Sequence, residues 1–400
     1  MRDETRDTPP ETVVVDEAFD VRTHLDTVRR GYDDYRREDA ALERFIREID
    51  LEGRGRANLQ RAYQASRRRE LAPLLMARRP LELSHAVLAD PRGYAAVRQR
   101  LTDQFRPLSR AERLLWLHSF LFILTPDLRA LNDKVAAVRG FRSLGQRRNF
   151  LLGGPSGMGK TTYLDWLVAR HLPRVEETRN DVPIIKIDAP ENNRSPKPLL
   201  QRLIRECGRT YLLRDTEEDL LMQLGVYLNR CGTDLIIVDE VEHITSPEMR
   251  RRLLEMSNLT RRVPIICASC HPLRWVSGDD EVAGRWNDHH ELRPYTGERL
   301  EDLLAFIELL LPFPRESHLS LLRIDAGRVG GDPVDGPARL IERWTGGILR
   351  DIMILIADAS RRAIEEGLPC VSPSLLQATQ RRIQTHPVVN VLEALAGASA

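Results

Sequence analysis

The chain has 400 residues, of which 42% are hydrophobic and 30% are charged. This balance is typical of a globular protein with two or three domains, and it excludes an intrinsically disordered chain. Because 60 basic residues face 59 acidic ones, the net charge is only +1, and any surface for nucleic acid must be a local patch. No run of about 18 apolar residues occurs, which predicts that no segment spans a membrane.

The cysteines indicate a reducing compartment. Five are present, which gives no even disulfide framework: Cys207, Cys231, Cys267, Cys270 and Cys370. The CxxC pair at 267 and 270 lacks a second Cys or His pair at the spacing of a zinc site. With no apolar signal core at the N-terminus, we expect a cytoplasmic protein.

The N-terminal region reads as helical after its start. Residues 1–17 are polar and acidic, which predicts disorder. Residues 21–106 are rich in arginine and carry apolar residues at helical spacing. Ser109 and Glu112 form a capping-box pattern before a leucine-rich helix, and a second helix over 127–141 leads into the next strand.

The most informative stretch is residues 149–162, NFLLGGPSGMGKTT. An apolar, strand-like run precedes G-x-x-x-x-G-K-[ST] at the start of a helix, which is the context that a phosphate-binding loop requires. The glycines let backbone N–H groups turn toward phosphate oxygens, and the helix adds the positive end of its dipole. The pattern predicts nine nucleotide-binding residues: Gly154, Pro155, Ser156, Gly157, Met158, Gly159, Lys160, Thr161 and Thr162.

The loop and a later acidic strand predict a site for ATP and Mg²⁺. Lys160 is expected to reach the β- and γ-phosphates of ATP, and the Thr161 hydroxyl is expected to ligate Mg²⁺. The run Asp234–Glu240, DLIIVDE, ends in two acids at the edge where ligands lie in parallel sheets. We expect Asp239 to hold Mg²⁺, directly or through water, and Glu240 to orient and deprotonate the attacking water.

Further elements follow the same alternation. A strand is predicted over 182–187, helices over 198–213 and 216–229, and another strand over 264–269. Ser269, at the tip of that last strand, is placed to touch the γ-phosphate or the attacking water, although a hydroxyl there can equally cap the loop. Arg285 lies where a guanidinium can project toward another subunit's nucleotide. The alternative is that it is an ordinary arginine in a surface loop.

The C-terminal region is predicted to be helical after a proline break at 312–314. A helix over 296–311 ends at this break, and helices are expected after it over 337–344, 348–366 and 373–382. Arg350 falls in the first turn of its helix, where a positive charge opposes the helix dipole unless a polyphosphate lies nearby.

The element order predicts an α/β fold with a parallel sheet flanked by helices. The expected domains are an N-terminal helical extension (1–108), a nucleotide-binding α/β domain (109–312), and a small C-terminal helical lid with a short tail (313–400).

The order of phosphate loop, acidic strand, Ser-tipped strand, arginine and helical lid with Gly-x-x-Arg resembles an AAA+ ATPase. By that resemblance, Gly154–Thr161 corresponds to Walker A and Asp239–Glu240 to Walker B. Ser269 then corresponds to the sensor-1 position, Arg285 to the arginine finger, and Arg350 to the sensor-2 arginine.

Within that superfamily the chain resembles the TniB/TnsC group, ATPases that regulate DNA transposition. The similar segments include RNFLLGGPSGMGKTT, VPIIKIDAP, CGTDLIIVDEVEHI, VPIICASCHP and TGGILRDIMILIADASRRAI, and the resemblance covers residues 114–382. The chain departs from the pattern in its long N-terminal region and at Ala268-Ser269, where Gly-Thr is usual.

The resemblance implies partners and an assembly. These are a homo-oligomeric ring or helical filament on double-stranded DNA, without sequence specificity, in contact with a DDE transposase and a target-selection protein. It also implies DNA contacts from the elements after the second strand, where this chain has Arg194, Lys197 and Thr216. A guanidinium, an ammonium and a hydroxyl suit phosphates rather than bases; the alternative is that Lys197 only extends a loop into solvent.

Three other functions share part of this pattern. A helicase loader or replication-initiator ATPase would keep every ATP residue but bind a helicase. A P-loop kinase for a small molecule would need no second subunit, and the acidic pair with a helical lid argues against it. A nucleotide-binding scaffold would scarcely hydrolyse ATP, and the presence of Glu240 argues against this third function.

Overall fold

In a computed structural model, the chain is described over residues 13–15, 18–48, 81–83, 90–118, 123–140, 149–171, 173–175, 180–190, 195–259, 263–277, 280–286, 288–321, 323–324 and 334–385. It divides into two compact units. The first comprises Met1–Glu11, Gly31–Arg78 and Pro126–Arg293, and the second comprises Thr12–Arg30, Arg79–Thr125 and Pro294–Ala400. Residues 109–125 and 294–312 therefore group with the C-terminal helices.

The described residues contain both helices and strands. The helices are α1 (Val21–Glu48), α2 (Pro91–Phe105), α3 (Arg110–His118), α4 (Pro126–Gly140), α5 (Lys160–Arg170), α6 (Lys197–Glu206), α7 (Glu217–Arg230), α8 (Pro247–Leu259), α9 (Pro272–Val276), α10 (Asp280–Arg285), α11 (Glu298–Leu310), α12 (Pro337–Thr345), α13 (Leu349–Glu365) and α14 (Pro373–Thr385). The strands are β1 (Val13–Val15), β2 (Leu81–Leu83), β3 (Phe150–Gly153), β4 (Arg174–Val175), β5 (Asn180–Asp181), β6 (Ile184–Asp188), β7 (Leu235–Asp239), β8 (Ile265–Ala268), β9 (Asp288–Glu291), β10 (Arg323–Ile324) and β11 (Val334–Asp335).

The first unit is built on a five-stranded sheet in the order β6-β7-β8-β3-β9. Every pairing is parallel, so the carboxyl ends of the strands meet at one edge. Strands β3, β7 and β8 are buried along their whole length, as their unbroken apolar runs predict for a sheet covered on both faces. The predicted α/β fold with flanking helices is confirmed.

The helix start predicted from the capping box at Ser109 is confirmed, and a second capping box begins α7 at the predicted residue 216. The Ser109 amide and hydroxyl each donate to the Glu112 carboxylate at 2.8 Å, and the Glu112 amide donates back to the Ser109 hydroxyl at 3.3 Å. At α7, Thr216 and Asp219 make the same reciprocal pair. Each box satisfies amides that the first helical turn leaves without intrahelical partners.

Other boundaries differ from the prediction. Helix α6 ends at Glu206 rather than at 213, because Gly208 takes a positive φ of 66° and the Arg209 amide bonds back to the Ile204 carbonyl. Residues 13–15 were expected to be disordered, yet three successive valines form β1, parallel to β2. β-Branched side chains favour an extended backbone, which outweighs the polar composition around them.

The second unit joins both ends of the described chain. Arg98 of α2 is 4% exposed, and its guanidinium donates to the carbonyls of Glu308 at 3.0 Å and Arg315 at 3.3 Å. The Glu308 carboxylate is also buried and accepts from the Ser317 and Leu319 amides at 2.6 and 3.0 Å. The Arg98 guanidinium and the Glu308 carboxylate also form an ion pair at 3.8 Å, and these hydrogen bonds offset part of the cost of burying the two charges. None of the described helices is both long and apolar enough to cross a bilayer.

A polar cluster connects helix α4 to the rest of the first unit. The Arg139 guanidinium donates two hydrogen bonds to the Asp234 carboxylate, at 2.9 and 2.8 Å, and lies 2.7 Å from Nε2 of His171. His171 Nδ1 lies 2.9 Å from the Leu167 carbonyl. These contacts fit a neutral ring that donates to the carbonyl and accepts from Arg139. Burial, and then the charge of Arg139, lower the pKa of His171 to about 4.

We expect this histidine to make the protein less stable in acid. The pKa of His171 in the folded protein lies below the ordinary value for histidine. Its contribution to the free energy of unfolding is therefore complete above a pH of about 6.5 and is lost as the pH falls toward 4. His171→Gln keeps a donor and an acceptor without titrating, and should reduce the stability lost between pH 7.5 and 5.0 by about 1–2 kcal/mol. Urea unfolding at both pH values measures this, and equal losses in the two proteins would contradict it.

Candidate functional site

The predicted phosphate loop connects β3 to α5 at the carboxyl edge of the sheet. Gly154, Gly157 and Gly159 take positive φ values of 138°, 84° and 87°, which side-chain-bearing residues rarely adopt. A Cβ on Gly154 would lie 2.3 Å from the Leu292 carbonyl oxygen. Gly159 is the N-cap of α5 and offers no capping side chain, so the amides of the first turn are available to an anion.

Lys160 is folded back onto this loop. It is 8% exposed, and its ammonium donates to the carbonyls of Gly154 and of Pro155, the latter at 3.0 Å. Cys270 Sγ lies 3.7 Å from the same nitrogen. Burial and the nearby Glu242 raise the pKa of Cys270 despite Lys160, so a neutral thiol faces the ammonium. The Lys160 ammonium thus contacts carbonyls of the loop, at the place where phosphate oxygens are expected.

The structure brings the two predicted metal ligands together. The Thr161 hydroxyl donates to Asp239 Oδ2 at 2.9 Å, and Asp239 is 2% exposed at the end of β7. A hydroxyl and a carboxylate are hard oxygen donors, which fits Mg²⁺. Among the described residues, no three His, Cys, Asp or Glu side chains are grouped to hold a metal ion by themselves. A metal here would complete its coordination with water or with oxygens of a nucleotide.

Lys186 is a member of this site that the sequence analysis missed. It lies in β6, is 7% exposed, and its ammonium contacts Asp165 at 2.8 Å and Asp239 at 3.5 Å. Burial alone would lower the pKa of Lys186, but Asp165, Asp239 and Asp188 together raise it, so the side chain stays charged. The available signal was a lysine within an apolar strand, since lysine is rarely buried unless paired.

Glu240 follows β7 in a left-handed backbone conformation, with φ 56° and ψ 40°. Its amide donates to Asp239 Oδ1 at 3.0 Å, while its side chain is 54% exposed and its carboxylate lies 3.9 Å from His243 Nδ1. A non-glycine residue in this region is strained by about 1–2 kcal/mol. The strained turn leaves the carboxylate open to solvent beside the loop, and such strain is typical of functional sites.

Ser269 lies at the tip of β8, as predicted, and is 1% exposed. Its hydroxyl accepts from the His271 amide at 3.0 Å, which is the loop-capping contact that the sequence left open. Burial alone would raise the pKa of Glu242, but hydrogen bonds from its own amide, Ser269 and Cys270 lower it. Ser269 and Glu242 therefore fasten the loop after β8 to the turn after β7.

Arg285 is exposed at the last position of α10. The helix is anchored by Val282 and by Trp286, whose ring packs edge-on against Trp275 at 5.7 Å. Within the described part of the chain, the Arg285 guanidinium makes no hydrogen bond or ion pair. A rigidly mounted, free guanidinium is suited to an external anion.

Arg350 belongs to the second unit, in the first turn of α13 as predicted. Its Nε donates to Asp351 at 3.0 Å, and its side chain is 58% exposed. The turn before it depends on Gly347, where a Cβ would lie 2.3 Å from the Tyr295 carbonyl oxygen. Its sensor role stays a prediction.

Two of the three predicted DNA contacts lie close together. The Lys197 ammonium donates to the Leu213 carbonyl at 3.0 Å, and the Ser195 hydroxyl donates to Glu217 at 2.7 Å, so α6 and α7 begin side by side. Thr216 is exposed, but its hydroxyl is engaged in the capping box. Arg194 lies outside the described residues.

The strain at Glu240 can be measured. Glu240→Gly should raise the free energy of unfolding by about 1 kcal/mol, because glycine adopts a positive φ without a steric cost. Glu240→Gln keeps the Cβ and should match the wild type. Thermal unfolding of the three proteins without nucleotide tests this, and a glycine variant no more stable than the glutamine variant would refute the strain.

Comparisons with known proteins agree with this geometry. Residues 143–275 match the family model described as an AAA domain. No curated protein matches the sequence.

Solved structures with a similar chain path are distant. The Aeropyrum pernix ORC1 protein in complex with DNA is 16% identical, covers 68% of this chain and 69% of its own, and has a TM-score of 0.44. The Pyrobaculum aerophilum Cdc6p structure is 13% identical with 70% coverage of both chains and a TM-score of 0.46. The Thermotoga maritima RuvB Holliday junction branch migration motor is 14% identical, covers 64% and 69%, and has a TM-score of 0.39.

These likenesses carry no functional conclusion. The family match, the parallel sheet and the loop geometry are sufficient for the fold: the first unit contains an AAA domain with the AAA+ P-loop NTPase fold.

Proposed function

We propose that the protein is an ATP-dependent, DNA-binding AAA+ regulator of DNA transposition. In this proposal it oligomerises on target DNA and recruits or activates a DDE transposase, and ATP hydrolysis drives its disassembly. The proposed ATPase activity rests mainly on one contact, the hydrogen bond from the Thr161 hydroxyl to Asp239. Thr161 directly follows Lys160, at the end of a loop whose glycines take positive φ values.

Each side chain of the site has a distinct task. When ATP binds, the Lys160 ammonium would replace its hydrogen bonds to loop carbonyls with contacts to the β- and γ-phosphates. Thr161 and Asp239 would hold Mg²⁺. The metal, when bound, neutralises charge on those phosphates. Glu240 orients a water molecule and accepts its proton, for which its exposed carboxylate is available. Ser269 supports the loop that faces this water.

Assembly is assigned to Arg285. Its exposed guanidinium, on a helix anchored by tryptophans, would reach the γ-phosphate held by a neighbouring subunit. ATP would then join two subunits, and its hydrolysis would weaken the joint. Arg350 would contribute a second guanidinium from the lid.

Binding to double-stranded DNA is assigned to the start of α6 and α7. Lys197, with Thr216 beside it, would contact phosphates without reading bases, and Arg194 is assigned the same role from its residue type alone. Three acidic residues in the first turn of α7 oppose a phosphate there, so Lys197 is the main described contributor: Glu217, Glu218 and Asp219. The transposase and target-selection partners rest on the resemblance of the connecting segments to the TniB/TnsC group.

Binding and hydrolysis should separate by mutation. Lys160→Ala removes the cation that faces the phosphates and should weaken binding of a fluorescent ATP analogue at least about tenfold. Glu240→Gln should bind the analogue normally and slow phosphate release by a factor on the order of 10²–10⁴. Analogue titration and a phosphate-release assay measure both. Normal hydrolysis by the glutamine variant would exclude Glu240 as the base.

Assembly should depend on Arg285. We expect wild-type protein to form large, salt-sensitive complexes on labelled duplex with ATP or a non-hydrolysable analogue, but not with ADP. Arg285→Ala should stay small and lose hydrolysis by a factor on the order of 10³, because a finger in trans stabilises the transition state. Arg230→Ala, another exposed arginine at a helix end, should behave as the wild type. Sedimentation velocity with each nucleotide measures the size.

The outcomes discriminate between functions. An Arg285→Ala protein that assembles and hydrolyses normally would exclude the finger assignment. If the wild-type protein stays monomeric and does not bind duplex DNA in any nucleotide state, this result would exclude the transposition regulator and favour the small-molecule kinase. Assembly followed by capture of a helicase rather than a transposase would favour the helicase loader or replication initiator.

A further inference from the structure

Lys186 occupies an unusual position for a lysine. It lies within the apolar strand β6 at 7% exposure, and three carboxylates surround its ammonium. The distances are 2.8 Å to Asp165, 3.4 Å to Asp188 and 3.5 Å to Asp239. Burial of an ammonium is costly unless close carboxylates compensate it.

The lysine is continuous with the predicted metal site. Asp239 Oδ2 accepts from the Thr161 hydroxyl and is also the Asp239 oxygen that lies 3.5 Å from the Lys186 ammonium. Asp165 lies four residues after Thr161 on α5, so both side chains project from one face of that helix. The two candidate metal ligands and the Lys186–Asp165 pair therefore form one network.

We propose that Lys186 is a positioning residue that makes metal binding depend on the nucleotide. It holds the Asp239 carboxylate beside Thr161 and opposes a divalent cation at that oxygen until nucleotide phosphates are present. The inference rests on the ATP·Mg²⁺ site proposed above. It adds a role for a residue that is not expected to touch ATP.

The opposition between Lys186 and a bound cation is electrostatic. A unit positive charge 3.5 Å from a carboxylate oxygen repels a second cation at the same oxygen, and the repulsion is strong where solvent is excluded. Mg²⁺ in nucleotide sites is commonly bound by one or two carboxylates together with substrate phosphates. With Asp239 partly neutralised and no group of three acidic, His or Cys ligands among the described residues, the protein alone attracts the metal weakly.

Replacing the lysine should therefore create metal affinity in the absence of nucleotide. Lys186→Met removes the charge but keeps much of the length, leaving Asp165 and Asp239 uncompensated. Mn²⁺ titration of the full chain, followed by electron paramagnetic resonance of free Mn²⁺, should show at least tenfold tighter binding than in the wild type without nucleotide. Lys186→Arg keeps the charge and should restore wild-type behaviour.

The opposite variant gives an independent test. Asp165→Asn removes the carboxylate nearest to the ammonium, which should then pair more closely with Asp239. We expect this variant to bind Mn²⁺ several-fold more weakly than the wild type in the presence of a non-hydrolysable ATP analogue. Because Asp165 is partly exposed, the substitution should be tolerated even if Lys186→Met does not fold.

Each result has one meaning. Unchanged Mn²⁺ affinity in folded Lys186→Met, or in Asp165→Asn with the analogue, would overturn the role of Lys186. Wild-type protein that binds Mn²⁺ equally with and without the analogue would overturn it as well. Wild-type protein that binds no Mn²⁺ even with the analogue would count against the ATP·Mg²⁺ site itself.

Discussion

The arrangement of the site depends on how one buried carboxylate is compensated. Asp239 lies at the carboxyl edge of the sheet with 2% exposure, where an unpaired charge would be strongly destabilising. Thr161 and Lys186 contact one of its oxygens, and the Glu240 amide donates to the other. These partners come from α5, β6 and the turn after β7. The phosphate loop, the neighbouring strand and the strained turn are thus held in register by a single side chain.

The sequence located those backbone elements around the candidate site whose position is determined by local spacing. The glycines before Lys160 and the acids after an apolar run read directly as a loop and a strand end, and the geometry agrees. Pairing across the sheet has no local signal. Lys186 contacts Asp165 and Asp239 only because β6 pairs with β7 and packs against α5, and the run VPIIKI alone reveals neither relation.

Backbone conformation and distant pairing explain the remaining differences. Glu240 adopts a left-handed conformation while its amide donates to Asp239, and residue type alone does not reveal this, since glutamate rarely takes a positive φ. Val13–Val15 becomes a strand because Leu81–Leu83 lies alongside it, and the partner is far away in sequence. The Ser269 hydroxyl accepts from the His271 amide, a contact that depends on the conformation of the loop after β8 and not on residue type alone.

The buried Arg98 has a consequence for the order in which the chain acquires its structure during synthesis. Its acceptor, the Glu308 carbonyl, lies 210 residues later, whereas all five strands of the central sheet lie between Phe150 and Glu291. On a ribosome, the AAA domain can close while the guanidinium of α2 still lacks its partner. The second unit is therefore completed last, and its early helices must remain soluble until then, since contacts of long sequence separation form slowly.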